Sequence, residues 1–280
     1  DPARDDVLGM FPDLGYTADV PSDPLFDFSE PMDKETFDML SAEQQAAVKD
    51  APAETIVVDV PGKSERTMAL MAHYDSATVE ADENGHQQIT DGTSLGAADD
   101  GYGVAAIVET LRALKAEGRQ PENSLKIVIT DAEEIGLVGA RNEMRHHRAD
   151  YENVDLVLNL EARGTSGPAL MFETSPNNSA VAGYFLSHVK QPATGSLLPS
   201  LYARMPNTTD MAAFIPEGFT VLNIAAIGDA EHYHHPTDAP RYVDHSTLQH
   251  YGDQVLSLTR AWAFDGQAPT LTADGDLHFF

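Results

Sequence analysis

The sequence predicts an α/β domain of three layers, in which helices cover both faces of a central sheet that is mixed but mostly parallel. From residue 55 onward, short apolar runs alternate with segments whose apolar residues recur at helical spacing. The 280 residues, 42% of them hydrophobic, suffice for one large domain with a substantial core. No Cys is present, so neither a disulfide nor a thiolate site is possible.

The elements of this sheet follow from the pattern of apolar residues in chain order. Helices are expected where that pattern has a period of three to four residues, at 101–117, 137–147, 179–189 and 247–264. Strands are expected where it forms short runs, at 56–60, 68–72, 125–130, 155–160, 169–173 and 220–227. Residues 75–98 are polar and contain glycine, so they are predicted to form a long loop.

The segments before and after this region have a different pattern of residues. Residues 1–55 are acidic and weakly periodic, which indicates an edge segment packed on the domain, with short helices near 5–10 and 34–49. Residues 56–264 form the main domain. Residues 265–280 contain Pro269 and turn-like Asp-Gly sequences, so they are predicted to be a tail or linker, with packing back on the domain as the alternative.

Acidic residues dominate the charge, since 45 Asp and Glu against 17 Lys and Arg leave a formal net charge of −28. Such a surface repels phosphate backbones and no basic patch stands out, so we expect no nucleic-acid partner. A cation would instead be attracted. No run of about 18 apolar residues occurs, so no membrane span is expected within this chain.

Acids and histidines cluster where the predicted strands end. These candidate ligands are His73, Asp99, Glu133, Glu134, Glu161 and His234. In open α/β sheets, ligands bind outside the carboxyl ends of the strands, so we expect these side chains to meet at one rim. Carboxylates and imidazoles in this combination suit a pair of zinc-like ions with one bridging Asp.

Five motifs around these residues occur in the order found in the M28 zinc aminopeptidases, which the sequence resembles from about residue 57 to residue 262. They read His-Tyr-Asp at 73–75, Ala-Asp-Asp-Gly at 98–101, Glu-Glu-Ile-Gly-Leu at 133–137, Asn-Leu-Glu at 159–161 and Tyr-His-His-Pro-Thr-Asp at 233–238. Many relatives have Asn-Leu-Asp instead of Asn-Leu-Glu. That difference makes the sequence most similar to the membrane-anchored vacuolar and endoplasmic-reticulum metallopeptidases.

The resemblance implies a zinc-exopeptidase fold over residues 56–264, with two Zn²⁺ ions for which Co²⁺ or Mn²⁺ could substitute. Asp99 would bridge both ions. His73 and Glu161 would complete one site, and Glu134 and His234 the other. The implied substrate is a peptide, cleaved by an aminopeptidase, with carboxypeptidase or dipeptidase action left open.

The resemblance also implies three catalytic roles. Glu133 would act as general base towards the attacking water and then pass the proton to the leaving amine. Tyr233 would donate its hydroxyl to the tetrahedral oxyanion. Asp75, two residues after His73, would hold the second nitrogen of that imidazole.

Some assignments stay open at the level of sequence. The family interval from Tyr-His to the following Asp is reproduced by His234 and not by His235 or His232, which favours His234 as the ligand. Arg163 either stabilises Glu161 or binds a substrate carboxylate. Asp210 is a further candidate substrate-binding residue, although the sequence there reads Thr-Asp-Met where many relatives have Ser-Asp-His.

Three other functions compete with the aminopeptidase. A glutaminyl-cyclase-like zinc acyltransferase would use one zinc ion, and a catalytically inactive peptidase-like domain would only bind. Residues 92–96 spell the G-x-S-x-G motif of α/β-hydrolases, but that motif requires a strand directly before it and the preceding residues are polar. The intact set of ligands and Glu133 favour the hydrolase with two metal ions.

The similar branch is membrane-anchored and the chain begins with Asp1, so we expect the full gene product to carry a signal or transmembrane segment. The domain would then work outside the cytoplasm, as a secreted, periplasmic or membrane-anchored ectodomain. Its acidic surface suits saline surroundings, where salt screens self-repulsion.

Overall fold

In the described part of the chain, an α/β architecture is built from ten strands and from helices on both sides of the largest sheet. The computed structural model describes residues 1–81, 87–90, 94–197, 202 and 208–277. Within these ranges the strands are β1 Ser22–Pro24, β2 Pro52–Glu54, β3 Ile56–Val60, β4 Ser64–His73, β5 Thr78–Ala81, β6 Gln87–Thr90, β7 Asn123–Thr130, β8 Val154–Ala162, β9 Leu170–Thr174 and β10 Val221–Ala226.

From β4 onward, helices follow β6, β7, β9 and β10 along the chain. In the described ranges they are α1 Pro2–Leu8, α2 Met10–Asp13, α3 Pro31–Met39, α4 Ala42–Val48, α5 Gly101–Ala116, α6 Val138–His146, α7 Ser179–His188, α8 Met211–Phe214 and α9 His245–Phe264. Short 3₁₀ turns lie at Arg148–Tyr151, Ile215–Glu217, Ala230–His232 and Pro240–Tyr242.

Six strands form the central sheet in the order β3-β7-β4-β8-β10-β9. The inner pairs β7/β4, β4/β8 and β8/β10 are parallel, and the edge strands β3 and β9 are antiparallel to their neighbours. The predicted mixed, mostly parallel sheet is therefore confirmed. Because His73 pairs with Thr130, the carboxyl ends of β4 and β7 reach the same edge.

The two faces of the sheet bury different cores, because side chains alternate along each strand. Met68 and Leu70 of β4 pack with α5 and α9, where Tyr102 and Tyr251 stack at 5.6 Å between ring centroids. Met71, on the opposite face, packs into a second core together with Phe214 of α8. Helices thus cover both faces, as the sequence predicts.

One predicted loop contains a hairpin. Residues 75–98 include β5 and β6, which pair in antiparallel register. Their sequences, Thr-Val-Glu-Ala and Gln-Gln-Ile-Thr, lack the apolar run that identifies a buried strand, so the pattern gave no signal. Gly92 and Thr93 of the G-x-S-x-G motif lie outside the described residues, and residues 94–96 belong to neither a strand nor a helix.

The N-terminal segment packs against the main domain. The single helix expected at 34–49 is divided into α3 and α4, because Ser41 caps α4 in a capping box with Gln44. The carboxylate of Asp33 is 1% exposed and pairs with Arg141 and Arg145 of α6, at 2.9 Å for Arg145.

The C-terminal tail also contacts the domain. Arg66 binds the carboxylate of Asp155 and donates to the carbonyl of Pro269 at 3.0 Å, and Leu271 is buried. Residues 265–277 therefore pack back, and residues 278–280 lie outside the described ranges. No helix in the described part of the chain is both long and apolar enough to cross a membrane.

Replacing the buried Asp33 is expected to destabilise the fold strongly. Asp33→Ala leaves Arg141 with buried guanidinium nitrogens and no carboxylate, so the free energy of unfolding should fall by about 3–5 kcal/mol. Asp38→Ala is the control, since its pair with Lys34 is exposed and 3.6 Å long. That change should cost no more than about 0.5 kcal/mol in urea unfolding. Equal effects of the two substitutions would contradict the buried pair.

Candidate metal centre

The candidate ligands do meet at the carboxyl edge of the central sheet. His73 is the last residue of β4, Glu161 lies near the end of β8, and Glu133 and Glu134 follow β7. Asp99 precedes α5 and is 5% exposed. The parallel register of β4, β7 and β8 brings these strand ends together, as the strand pattern predicts.

The Asp99 carboxylate lies between the two histidines. Its Oδ1 is 3.2 Å from His73 Nε2, and its Oδ2 is 3.4 Å from His234 Nε2. Each oxygen therefore faces a different imidazole. Asp99 consequently belongs to two groups whose ligand atoms lie within 4.8 Å of one another, and the position suits a bridging carboxylate.

The first group contains His73, Asp99 and Glu161, which are all buried. Glu161 Oε2 lies 3.8 Å from His73 Nε2. The other oxygen, Oε1, accepts a hydrogen bond of 3.1 Å from the Asn159 amide. Asn159 thus fixes the rotation of the Glu161 carboxylate, a role that the sequence did not indicate because it depends on the strand pleat.

The second group contains Asp99, Glu134 and His234. Glu134 Oε2 lies 2.7 Å from His234 Nε2. Within the described ranges, His234 Nε2 and Glu134 Oε1 are buried without a hydrogen bond of good geometry. Orphaned nitrogen and oxygen lone pairs that converge in this way fit a metal ion.

The hairpin that the sequence missed supports His234. Val79 of β5 donates its N–H to the carbonyl of His234 at 2.9 Å. His234 itself has a left-handed backbone, with φ = 52°. By contrast, His232 and His235 both contact the hydroxyl of Thr237 through Nδ1, at 2.6 and 2.8 Å. The structure places neither of them in a candidate metal group.

Burial and mutual proximity shift the titration of these groups. Burial raises the pKa of Glu161 well above its usual range, and it raises the pKa of Glu134 to about 7. Burial alone would raise the pKa of Asp99, but the adjacent imidazoles of His234 and His73 lower it to about 2. So many carboxylates in one buried place are mutually repulsive, and bound cations would relieve that repulsion.

Asp75 contacts the second nitrogen of the His73 imidazole mainly through its backbone. His73 Nδ1 lies 3.0 Å from the backbone carbonyl of Asp75, while the carboxylate is further away at 3.4 Å. That carboxylate instead accepts the N–H groups of Glu133 and Glu134, both at 3.1 Å. Asp75 therefore positions the Glu-Glu loop, and its carbonyl orients the imidazole so that Nε2 faces Asp99.

Asp238 supports Asp99, the candidate bridging residue, by accepting backbone N–H groups as Asp75 does. Its two carboxylate oxygens accept the N–H groups of Ala98 and Asp99, at 2.8 and 3.0 Å. At the level of sequence, Asp238 serves only to distinguish His234 from the neighbouring histidines, and the motif interval is the signal that could have identified this support.

A cavity of about 320 Å³ opens beside the two groups. Its polar wall contains Asp99, Glu133, Glu161, Arg163 and Tyr233. Its remaining wall is largely apolar, with Leu170, Phe172, Tyr202, Ala225 and Ile227. The proposed general base and the proposed oxyanion donor therefore face the same space.

Two further candidates are placed differently. Asp210, expected to bind substrate, is 1% exposed and does not line this cavity. Its Oδ2 accepts a hydrogen bond from Thr130, and burial raises its pKa to about 6. Arg163 makes no ion pair with Glu161, so the structural role considered for it is not observed. Its guanidinium lies over the Tyr233 ring at 5.2 Å.

Sequences similar to this chain are found among peptidases. The profile of peptidase family M28 matches residues 55–259. A vacuolar membrane protease of Lodderomyces elongisporus is 27% identical over 71% of this chain and 19% of its own length. A putative endoplasmic reticulum metallopeptidase 1 of Schizosaccharomyces pombe is 27% identical over 66% of this chain and 23% of its own. The chain spans about a fifth of the length of these curated relatives.

Solved structures share the fold. A zinc aminopeptidase from Bacillus subtilis aligns with a TM-score of 0.58 and 19% identity, over 79% of this chain and 53% of that one. A glutaminyl cyclase from Porphyromonas gingivalis aligns with a TM-score of 0.65 and 18% identity, over 91% of this chain and 88% of that one. One architecture thus occurs in two kinds of enzyme.

Proposed function

The chain belongs to peptidase family M28, and from that premise we propose that it is an exopeptidase with two metal ions, acting as an aminopeptidase. The observation that carries the proposal is the Asp99 carboxylate, whose two oxygens face His73 and His234 separately. One side is completed by Glu161 and the other by Glu134. Imidazole and carboxylate donors in these numbers suit Zn²⁺, with Co²⁺ or Mn²⁺ as substitutes.

The proposed base is Glu133. It lines the cavity, and both groups that share Asp99 are complete without it. It also lies in a third group with His73 and Glu134, so its carboxylate is close to the ligands. When bound, the ions would polarise the scissile carbonyl and lower the pKa of water. Glu133 would accept the proton of the attacking water and deliver it to the leaving amine.

Tyr233 is the proposed oxyanion donor. Burial and the surrounding carboxylates raise its pKa well above the usual value, so the phenol keeps its proton at neutral pH. Its ring stacks on His234 with 3.7 Å between the centroids, which limits the directions in which the hydroxyl can point. A protonated phenol in this fixed position can donate to the developing oxyanion.

Asp210 is proposed to act from behind the site rather than on the substrate. Its Oδ1 is buried without a partner among the described residues, and its Oδ2 is held by Thr130 at the end of β7. Thr130 lies three residues before Glu133, so this contact steadies the start of the loop that carries the base.

The direction of cleavage can be tested with matched substrates. We expect hydrolysis of leucine p-nitroanilide by the zinc-loaded protein, and loss of that hydrolysis after N-acetylation of the substrate or treatment with a chelator. A glutaminyl cyclase would instead release ammonia from peptides with N-terminal Gln, and this alternative is favoured by the similar cyclase fold. Cyclisation without hydrolysis, or preference for the acetylated substrate, would contradict the aminopeptidase.

We also propose that the domain acts on the non-cytoplasmic side of a membrane. The relatives named as vacuolar membrane protease and as endoplasmic reticulum metallopeptidase support an association with membranes. The complete reading frame tests this proposal, which requires a signal or transmembrane segment outside the present chain.

A further inference from the structure

We propose that Arg163 binds a carboxylate of the substrate and so makes the enzyme selective for anionic peptides. This inference rests on the proposed peptidase function and adds the chemistry of the ligand. The carboxylate is either the C-terminal one of a short peptide or that of an acidic side chain.

The backbone at Arg163 is fixed. Its N–H donates to the carbonyl of Ala226 at 2.7 Å, which extends the pairing of β8 with β10. Gly164 follows, and a Cβ there would lie 2.1 Å from the carbonyl oxygen of Gly228. Such close packing of two backbones allows little movement, so the guanidinium extends from a rigid base, two residues after Glu161.

Among the described residues the Arg163 guanidinium has no acidic partner, although the chain carries 28 excess negative charges. Buried or half-buried arginines elsewhere in the described ranges pair with carboxylates, as Arg66, Arg141 and Arg145 do. Arg163 is half-buried, and among the described residues its guanidinium makes no hydrogen bond or ion pair and lies over the face of Tyr233. Its N–H donors therefore remain free for a planar anion, which guanidinium binds in a bidentate manner.

One aromatic ring contacts both this cation and the candidate metal centre. The Tyr233 ring centroid lies 5.2 Å from the guanidinium and 3.7 Å from the centroid of the His234 imidazole, on which it stacks. A carboxylate held by Arg163 is thus within the reach of a substrate whose scissile bond lies at the centre. No other Lys or Arg lines the cavity, so Arg163 is its one cationic group among the described residues.

The other groups of the cavity make this cation selective. Glu133 repels a carboxylate, and the aliphatic side chains of the apolar wall offer it no hydrogen bonds. Without Arg163, an anionic substrate would therefore bind worse than its neutral analogue. With Arg163 present, the anionic substrate binds better than its neutral analogue. The same apolar wall, with Phe172 packed edge-to-face on Tyr202 at 4.8 Å, accepts the hydrocarbon part of the peptide.

The test compares kcat/KM for two matched pairs of substrates. One pair is Ala-Leu and Ala-Leu-amide, which differ in the C-terminal carboxylate. The other is glutamyl and glutaminyl p-nitroanilide, which differ in the side chain. We expect wild type to prefer the anionic member of one pair, and that pair identifies the source of the carboxylate. In Arg163→Met this preference should fall about 10- to 100-fold, mainly through KM, with partial rescue in Arg163→Lys.

Arg241→Met is the matched control, because Arg241 is exposed and also lies over a tyrosine ring, that of Tyr242. It should leave both preferences unchanged. Calorimetry with Ala-Leu and its amide on the Glu133→Gln variant gives the same comparison without turnover. Hydrolysis of the neutral substrates with no preference for anions would overturn the role of Arg163 and leave the peptidase intact. Unchanged preference in Arg163→Met would also overturn it.

Discussion

Glu133→Gln is expected to lower kcat by about 10²–10⁴ while the metal content stays at the wild-type level. The amide keeps the size of the side chain but cannot accept the proton of the attacking water. Both candidate metal groups that share Asp99 are complete without Glu133, so the ions should remain. The measurement is steady-state hydrolysis of leucine p-nitroanilide together with elemental analysis of the same zinc-reconstituted sample.

Glu143→Gln provides the control for this change. Glu143 is also a buried carboxylate with a raised pKa, but it lies on α6, hydrogen-bonded to Tyr151 at 2.7 Å, outside every candidate metal group. Its substitution should leave kcat and metal content near the wild-type values. If Glu133→Gln instead loses the metal or retains full activity, the carboxylate is a ligand or a bystander and the base must be sought elsewhere.

Asp99→Asn is expected to remove most metal from both sites at once. The amide presents only one oxygen, whereas the two carboxylate oxygens face His73 and His234 respectively. Ions of this type contribute several kcal/mol to transition-state stabilisation, so kcat/KM should fall by about 10³-fold or more. Zinc titration of the metal-free protein, followed by calorimetry, measures the stoichiometry directly.

Two histidine variants complete that experiment. His234→Ala should weaken one site and His235→Ala neither, because His235 is exposed and contacts Thr237. A wild-type stoichiometry of one ion, or a larger loss in His235→Ala than in His234→Ala, would contradict the assignment. The first result would favour the glutaminyl-cyclase-like alternative.

Most of the sheet was predictable because its strands are buried. The apolar run at 68–72 marks the buried part of β4, but the strand begins at Ser64, where exposed side chains interrupt the run. The hairpin β5–β6 has no apolar run that periodicity could detect, since its strands read Thr-Val-Glu-Ala and Gln-Gln-Ile-Thr. The break between α3 and α4 was readable, since Ser41 and Gln44 form a capping-box sequence before α4.

The meeting of the candidate ligands was also predictable, because the carboxyl ends of parallel strands lie at one edge of the sheet in any strand order. The supporting contacts were not. Whether the carbonyl or the carboxylate of Asp75 reaches His73 depends on the local turn, and the hold of Asp238 on Asp99 joins residues far apart in sequence. Such pairings are properties of the tertiary structure, and a single sequence carries no periodic trace of them.

The ion pairs between the N-terminal segment and α6 limit where this protein can be truncated. The family profile begins at residue 55. Two contacts come from residues before that limit: Asp33 pairs with Arg141, and Glu54 donates its N–H to Asp131, two residues before the proposed base. Beyond residue 259, the Gly266 carbonyl accepts from Asn123. A fragment limited to residues 55–259 would lose these contacts and expose the surfaces that they cover to water. The segment that the family profile matches is thus shorter than the segment that packs as one structure. Truncated variants of this protein should keep the longer segment.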